Sequence, residues 1–156
     1  MEYHENFIWT MQFVPVILKH ADIYPPAIHF ILILLPSYLL PAQPSRSKQK
    51  TGICRRTTSP RWEQTIVWDD LSMEEVMERS LELAVWDHDR IGKTQDFLGG
   101  ARFNLGSGKH LGRSVTWMDG TGKEVSLWQQ MLDRPNFWVE GCIGLRPSLE
   151  TRSQEK

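Results

Sequence analysis

Cysteine is scarce: Cys54 and Cys142 are the only two in 156 residues. That excludes a small secreted domain stapled by disulfides, and the absence of a CxxC spacing excludes the usual zinc patterns. Both are expected to be reduced packing residues of a cytosolic protein. There is no Asn-x-Ser/Thr acceptor, since Asn6, Asn104 and Asn136 are each followed by the wrong residues. The start, MEYHEN, is acidic and has no positive region of the kind a secretory signal carries. Catalytic patterns are missing too. LGSGKH has no Gly five residues before Gly108, and Lys109 precedes His110 rather than Ser or Thr, so it is not a phosphate loop. His4, His20, His29, His88 and His110 form no spaced cluster with an acid and a nucleophile. No catalytic residue is expected, and the chain is not read as an enzyme.

Charged residues make up 24% and apolar ones 40%, a globular balance in a length that suits one domain. The net charge of -1 says nothing of partners, but its distribution does. Six basic residues and no acidic one fall between Ser45 and Arg61, whereas seven acidic and three basic residues fall between Leu71 and Gly100.

Residues 1–36 stand apart. FIWTMQFVPVIL and AIHFILILLPSYLL are strongly apolar and are separated by His20, Asp22 and the turn-forming Pro25-Pro26. The second run has 14 residues with Pro36 inside it, short of the ~20 that a spanning helix needs. Buried strands or a poorly folded segment are favoured over a membrane anchor. From Ser37 the text changes. SYLLP reads as a short strand stopped by Pro41, and QTIVWDDL as another. Ser72 to Glu75 is a capping box that opens a short helix with Met73, Val76 and Met77 inward. Gly99 and Gly100 in the run Phe97–Leu105 suggest a bulge. Gly106 and Gly108 are turn glycines. Ser126 to Gln129 reads as a second capping box, with Trp128, Met131 and Leu132 on one face, and Phe137 to Leu145 as a last strand. Short strands with turn punctuation and two brief helices predict an all-β antiparallel sandwich.

Two stretches carry chemistry. In LELAVWDHDRIGKTQDFLGG, Leu81, Leu83 and Val85 alternate as a strand and lead into Asp87, Asp89 and then Asp96. Hard oxygens gathered at a loop mouth suit calcium, which takes about 6–8 of them. Asp is equally a good turn residue that bonds its own backbone. In the basic stretch, Arg46, Lys48 and Lys50 fall at every second position, so an extended chain puts them on one face, with Arg55 and Arg56 continuing the surface. Spacing alone does not separate a solvated edge strand from a face for anionic phosphate head groups.

Residues 37–149 resemble a C2 domain, in particular the second C2 module of synaptotagmin-like and rabphilin-type proteins. SYLLP, RSKQKT, RRTTSPRWEQTIVW, LELAVWDHDRIGKTQDFLGG and the terminal LWQQML-RP-FWVEG-IGLR carry the resemblance. Trp128 on a helix, then Pro135 and Trp138, is its most specific part. The resemblance implies an antiparallel sandwich with calcium and phospholipid at the loops of one end, and phosphoinositide at a basic strand. It assigns Asp87, Asp89 and Asp96 to the third calcium loop and Arg90, Ile91 and Lys93 to its tip. Arg46, Lys48, Lys50, Arg55 and Arg56 fall on or beside the basic strand. Two departures stand out. Asp89 and Asp96 are seven apart where the family has six. PPAIHFILILLP, which holds no Asp, stands where the first calcium loop should supply two more.

Calcium is therefore expected to bind weakly if at all, and calcium-independent binding to anionic phospholipids through the basic strand is the leading expectation. The implied role is peripheral membrane targeting in vesicle trafficking and exocytosis, cytoplasmic, at the plasma membrane or a secretory vesicle. The alternative is a protein-interaction domain for acidic partners of the exocytic machinery. Nucleic acid and direct Rab binding are not expected. The expected divisions are an atypical apolar segment (1–36), the C2-like domain (37–149) and a polar tail (150–156).

Overall fold

The computed structural model describes residues 9–13, 32–34, 36–41, 48–50, 54–55, 64–68, 71–88, 95–134 and 137–150, with side chains at 39–41, 71–86, 97–134 and 137–150. In chain order these form β1 (Trp9–Phe13), β2 (Leu32–Leu34), β3 (Pro36–Leu40), β4 (Lys48–Lys50), β5 (Cys54–Arg55), β6 (Gln64–Trp68), α1 (Met73–Met77), β7 (Ser80–His88), β8 (Gln95–Phe103), β9 (Lys109–His110), β10 (Arg113–Ser114) and α2 (Lys123–Asp133). All strand pairing among the described residues is antiparallel, and the class is the all-β sandwich read from the sequence. Among the described residues no helix is long and apolar enough to cross a membrane.

β7 is the central strand. β8 runs along one edge of it, and β2 and β3 share the other. Leu34 pairs with Trp86 and Ser37 with Leu83, three residues on along each strand, so β2 and β3 meet β7 in a single register. β4 pairs with β3 and β5 with β2, which makes them the outer rank of the main sheet. β1 pairs with β6 over five residues in a separate ladder, and β9 and β10 form a small one of their own.

The alternation of LELAV decides which side of β7 is filled. Leu81, Leu83 and Val85 are buried with Leu39, the register partner of Leu81, and with Val76 of α1 and Trp128 and Leu132 of α2. Side chains two apart on a strand share a face, so alternate residues of β7 meet Leu39 of β3 and a stripe of each helix in this core. α1 starts as expected: Ser72 Oγ accepts from the Glu75 N–H at 3.2 Å, and Glu75 Oε2 accepts from the Ser72 N–H at 2.9 Å. Val76 is buried, while Met77, expected inward, is exposed at the end of a five-residue helix.

Three further expectations are corrected. α2 does not begin at Ser126. It begins at Lys123, after Gly122, and Glu124 Oε2 accepts from the Thr121 N–H at 3.3 Å. Thr121-Gly122-Lys123-Glu124 has the spacing of a capping box, ahead of the expected start. The strand expected from Phe137 to Leu145 does not form. Its run is interrupted by Gly141, which packs so closely on Leu127 that a Cβ there would strike the leucine side chain, and by Gly144. Instead the chain follows α2 and makes one bridge to β8, in which the Gly100 N–H donates to the Arg146 carbonyl at 3.0 Å and the Arg146 N–H donates to the Gly100 carbonyl at 2.7 Å. Cys142, expected to be packed, is exposed.

Candidate functional site

The hairpin of β7 and β8 carries the acidic end. The ladder holds to its last pairs, Asp87 with Asp96 and His88 with Gln95. A bulge lies inside it: Val85 faces Gly99 but Trp86 faces Phe97, which leaves Leu98 as the extra residue on β8. Were Leu98 paired in a regular ladder, Asp96 would face His88. The glycine pair admits the neighbouring chain here, since a Cβ on Gly100 would lie 2.6 Å from both the Leu83 carbonyl and Leu149 Cδ1. Beyond the bulge, the Trp86 and Phe97 rings meet edge to face at 5.2 Å, a favoured aromatic geometry.

Two like charges directly across an antiparallel pair destabilise it, and a divalent cation relieves that repulsion. The register sets Asp87 opposite Asp96, two of the three aspartates expected to begin an oxygen shell. Among the described residues no group of three His, Cys, Asp or Glu completes it. Asp89, Arg90, Ile91 and Lys93 lie outside the described residues.

The basic stretch forms the outer rank of the sheet. Lys50 is opposite Pro36 and Lys48 opposite Tyr38 on β3, while Arg55 is opposite Leu32 on β2. From Pro36 to Ile33 the inner strand advances three residues, whereas from Lys50 to Cys54 the outer chain advances four. One extra residue on the outer chain is the count of a β-bulge. Lys48, Lys50 and Arg55 therefore take register positions of one parity, the parity of Glu82, Ala84 and Trp86 on β7 rather than of Leu81, Leu83 and Val85. Arg46 and Arg56 lie outside the described residues.

A third group was not foreseen from the sequence. Glu82 on β7 meets its register partner Arg102 on β8 at 2.8 Å, Arg102 meets Asp119 at 3.2 Å, and Asp119 meets Arg146 at 2.9 Å. Arg146 also makes two hydrogen bonds to Glu124 at the start of α2, one of them Nε to Oε1 at 2.8 Å. Those bonds raise the Arg146 pKa above its ordinary value; burial opposes the rise and Asp119 adds to it. Thr121, Lys123, Glu124, Ile143, Gly144 and Arg146 border an open depression of about 260 Å³ beside this chain of charges. The alternation of β7 pointed to Glu82 as an outward position, but nothing local marks partners 17 to 27 residues apart.

A family model described as "C2 domain" matches residues 35–119. Synaptotagmin-like protein 2 of Mus musculus is 44% identical over 108 residues, 69% of this chain and 11% of that protein. Synaptotagmin-like protein 1 of Mus musculus is 39% identical over 115 residues, 74% of this chain and 20% of that protein. The chain thus spans between a tenth and a fifth of the length of these curated relatives. Among solved structures, a C2 domain of RIM from Drosophila superposes with a TM-score of 0.51 at 24% identity, covering 70% of this chain and 82% of that one. That likeness concerns the fold. With the family model covering more than half of the residues, the chain belongs to the C2 domain family, whose members of this kind are binding modules rather than enzymes.

Proposed function

We propose that this C2 domain is a phospholipid-binding module that serves peripheral membrane targeting in vesicle trafficking, working mainly through its basic outer rank. One observation carries this reading: Lys48, Lys50 and Arg55 occupy register positions of one parity on the outermost strands of the sheet, opposite to the parity of Leu81, Leu83 and Val85. Each basic residue near an anionic leaflet contributes about 1 kcal/mol, so a row of them supplies useful affinity without a metal. Arg46 and Arg56 extend the row in sequence. The cytoplasmic face of a plasma or vesicle membrane is where such lipids lie.

Calcium takes a secondary part. Asp87 and Asp96, with Asp89 from the intervening loop, would hold it; water would complete the shell, because PPAIHFILILLP brings no aspartate. When bound, the ion would neutralise the acidic end and bring the loop tip with Arg90, Ile91 and Lys93 to the bilayer. The test is co-sedimentation with phosphoinositide-containing vesicles in EGTA. The variant with Lys48, Lys50, Arg55 and Arg56 changed to Ala is expected to lose most binding while keeping its melting temperature. Unchanged binding would overturn the proposal.

A further inference from the structure

We infer that the β9–β10 hairpin is a docking tip, with Leu111 as its anchor, for an acidic protein segment that offers an apolar socket. The inference stands apart from the lipid reading and uses none of its residues. The register pairs His110 with Arg113, so Leu111 and Gly112 alone make the turn. Their φ values, 48° and 78°, are both positive, the geometry of a tight hairpin turn that asparagine followed by glycine suits. Leucine is a poor choice there, because its Cβ crowds the backbone in the left-handed region. Nor does packing explain it, since Leu111 is 74% exposed. A strained, exposed apolar residue stabilises neither the turn nor the core, and strain of this kind gathers where something binds.

The tip is held in place by the end of α1. The Leu111 N–H donates to Glu78 Oε2 at 2.9 Å, and His110 Nδ1–H donates to the Glu78 carbonyl at 2.7 Å. The His110 ring also lies against Trp117, with centroids 5.2 Å apart. An anchor fixed in advance loses little conformational freedom on binding. Met77, next to Glu78 in the chain, is exposed as well and adds apolar surface. Charge names the partner. Phe103 to Met118 holds no acidic residue, and Lys109 and Arg113, both exposed, flank the turn. An acidic segment complements them. A bilayer is the weaker occupant: even a whole myristoyl chain holds a membrane only marginally, and one leucine carries far less hydrocarbon. A socket that buries the side chain completely and meets the cations at its rim makes more of the same residue.

The test uses the full chain and its Leu111→Asn variant, which removes the anchor with a residue that the left-handed region accepts. The variant should melt at the parent's temperature or above it. A displayed library of random peptides selected on the parent should yield acidic sequences that carry an aliphatic or aromatic residue. Synthesised and measured by fluorescence anisotropy, these should bind Leu111→Asn about tenfold more weakly. Lys109→Ala with Arg113→Ala should weaken them about fivefold. Phosphatidylserine vesicles should bind the parent and Leu111→Asn alike. The inference is overturned if selection yields no acidic sequences, or if those recovered bind either variant as tightly as the parent. A lower melting temperature in Leu111→Asn would make Leu111 a structural residue, and an equal loss of vesicle binding would make the hairpin a membrane tip. Either result overturns it too.

Discussion

Asn104 illustrates what one side chain can hold together. It is fully buried at the end of β8, where its amide donates to Ser80 Oγ at 2.9 Å and to the Trp117 carbonyl at 3.1 Å. Its carbonyl oxygen accepts from the Gly106 and Gly120 N–H groups, both at 2.8 Å. Gly120 can serve because it lacks a Cβ, which would lie 2.6 Å from that same oxygen. Removing the amide strands several buried polar groups, each costing about 1–3 kcal/mol. Asn104→Ala is therefore expected to lower stability by about 3 kcal/mol in urea denaturation, with vesicle binding intact in the fraction that stays folded. In the sequence Asn104 signifies only a failed glycosylation acceptor, because its partners are as far as 24 residues away.

Among the elements, legibility follows the range of the interaction that builds each one. The alternation through Leu81, Leu83 and Val85 and the box at Ser72 and Glu75 are set by neighbours, and sequence and structure agree on both. The start of α2 is harder to read because its N-cap, Gly122, makes no side-chain cap bond, while Glu124 accepts from the Thr121 N–H and also receives Arg146. The strand expected after Phe137 fails for a reason no window reveals: Gly141 lets the chain close onto Leu127, and Arg146 is drawn to Glu124 and Asp119. Arg146→Met should cost about 2–3 kcal/mol by leaving Glu124 poorly paired. It should also speed amide exchange at Gly100 and Arg146 before exchange elsewhere on β8, as hydrogen exchange by NMR would report. At the other end of β8, the register of Asp87 against Asp96 depends on the Leu98 bulge, which Gly99 and Gly100 announce in the sequence, though the pairing it produces is not legible there. Asp87→Asn should leave the calcium-free protein as stable or up to about 1 kcal/mol more stable. It should also abolish any rise in melting temperature that millimolar calcium gives the parent.

For the molecule as a whole, the apolar N-terminal stretch bears on completeness. Strands do form within it: β1 pairs with β6, and β2 joins β5 to β7. Periodicity could not choose among strands, anchor and unfolded chain there, because continuous apolar runs look alike in all three. A chain lacking residues 1–34 is expected to lose cooperative thermal unfolding, since β5 and β6 then forfeit these pairings; a sharp, unshifted melt would contradict this. The bridge between Gly100 and Arg146 has a last consequence. A protease that nicks the exposed stretch around Glu140 and Gly141 would free everything downstream from covalent attachment to α2, leaving Arg146, two backbone hydrogen bonds and the packing of Leu145 and Leu149 as its mooring. Once that piece departs, the margin of β8 around its two glycines is left bare, ready to template a foreign strand, so clipped molecules should self-associate where intact ones remain apart.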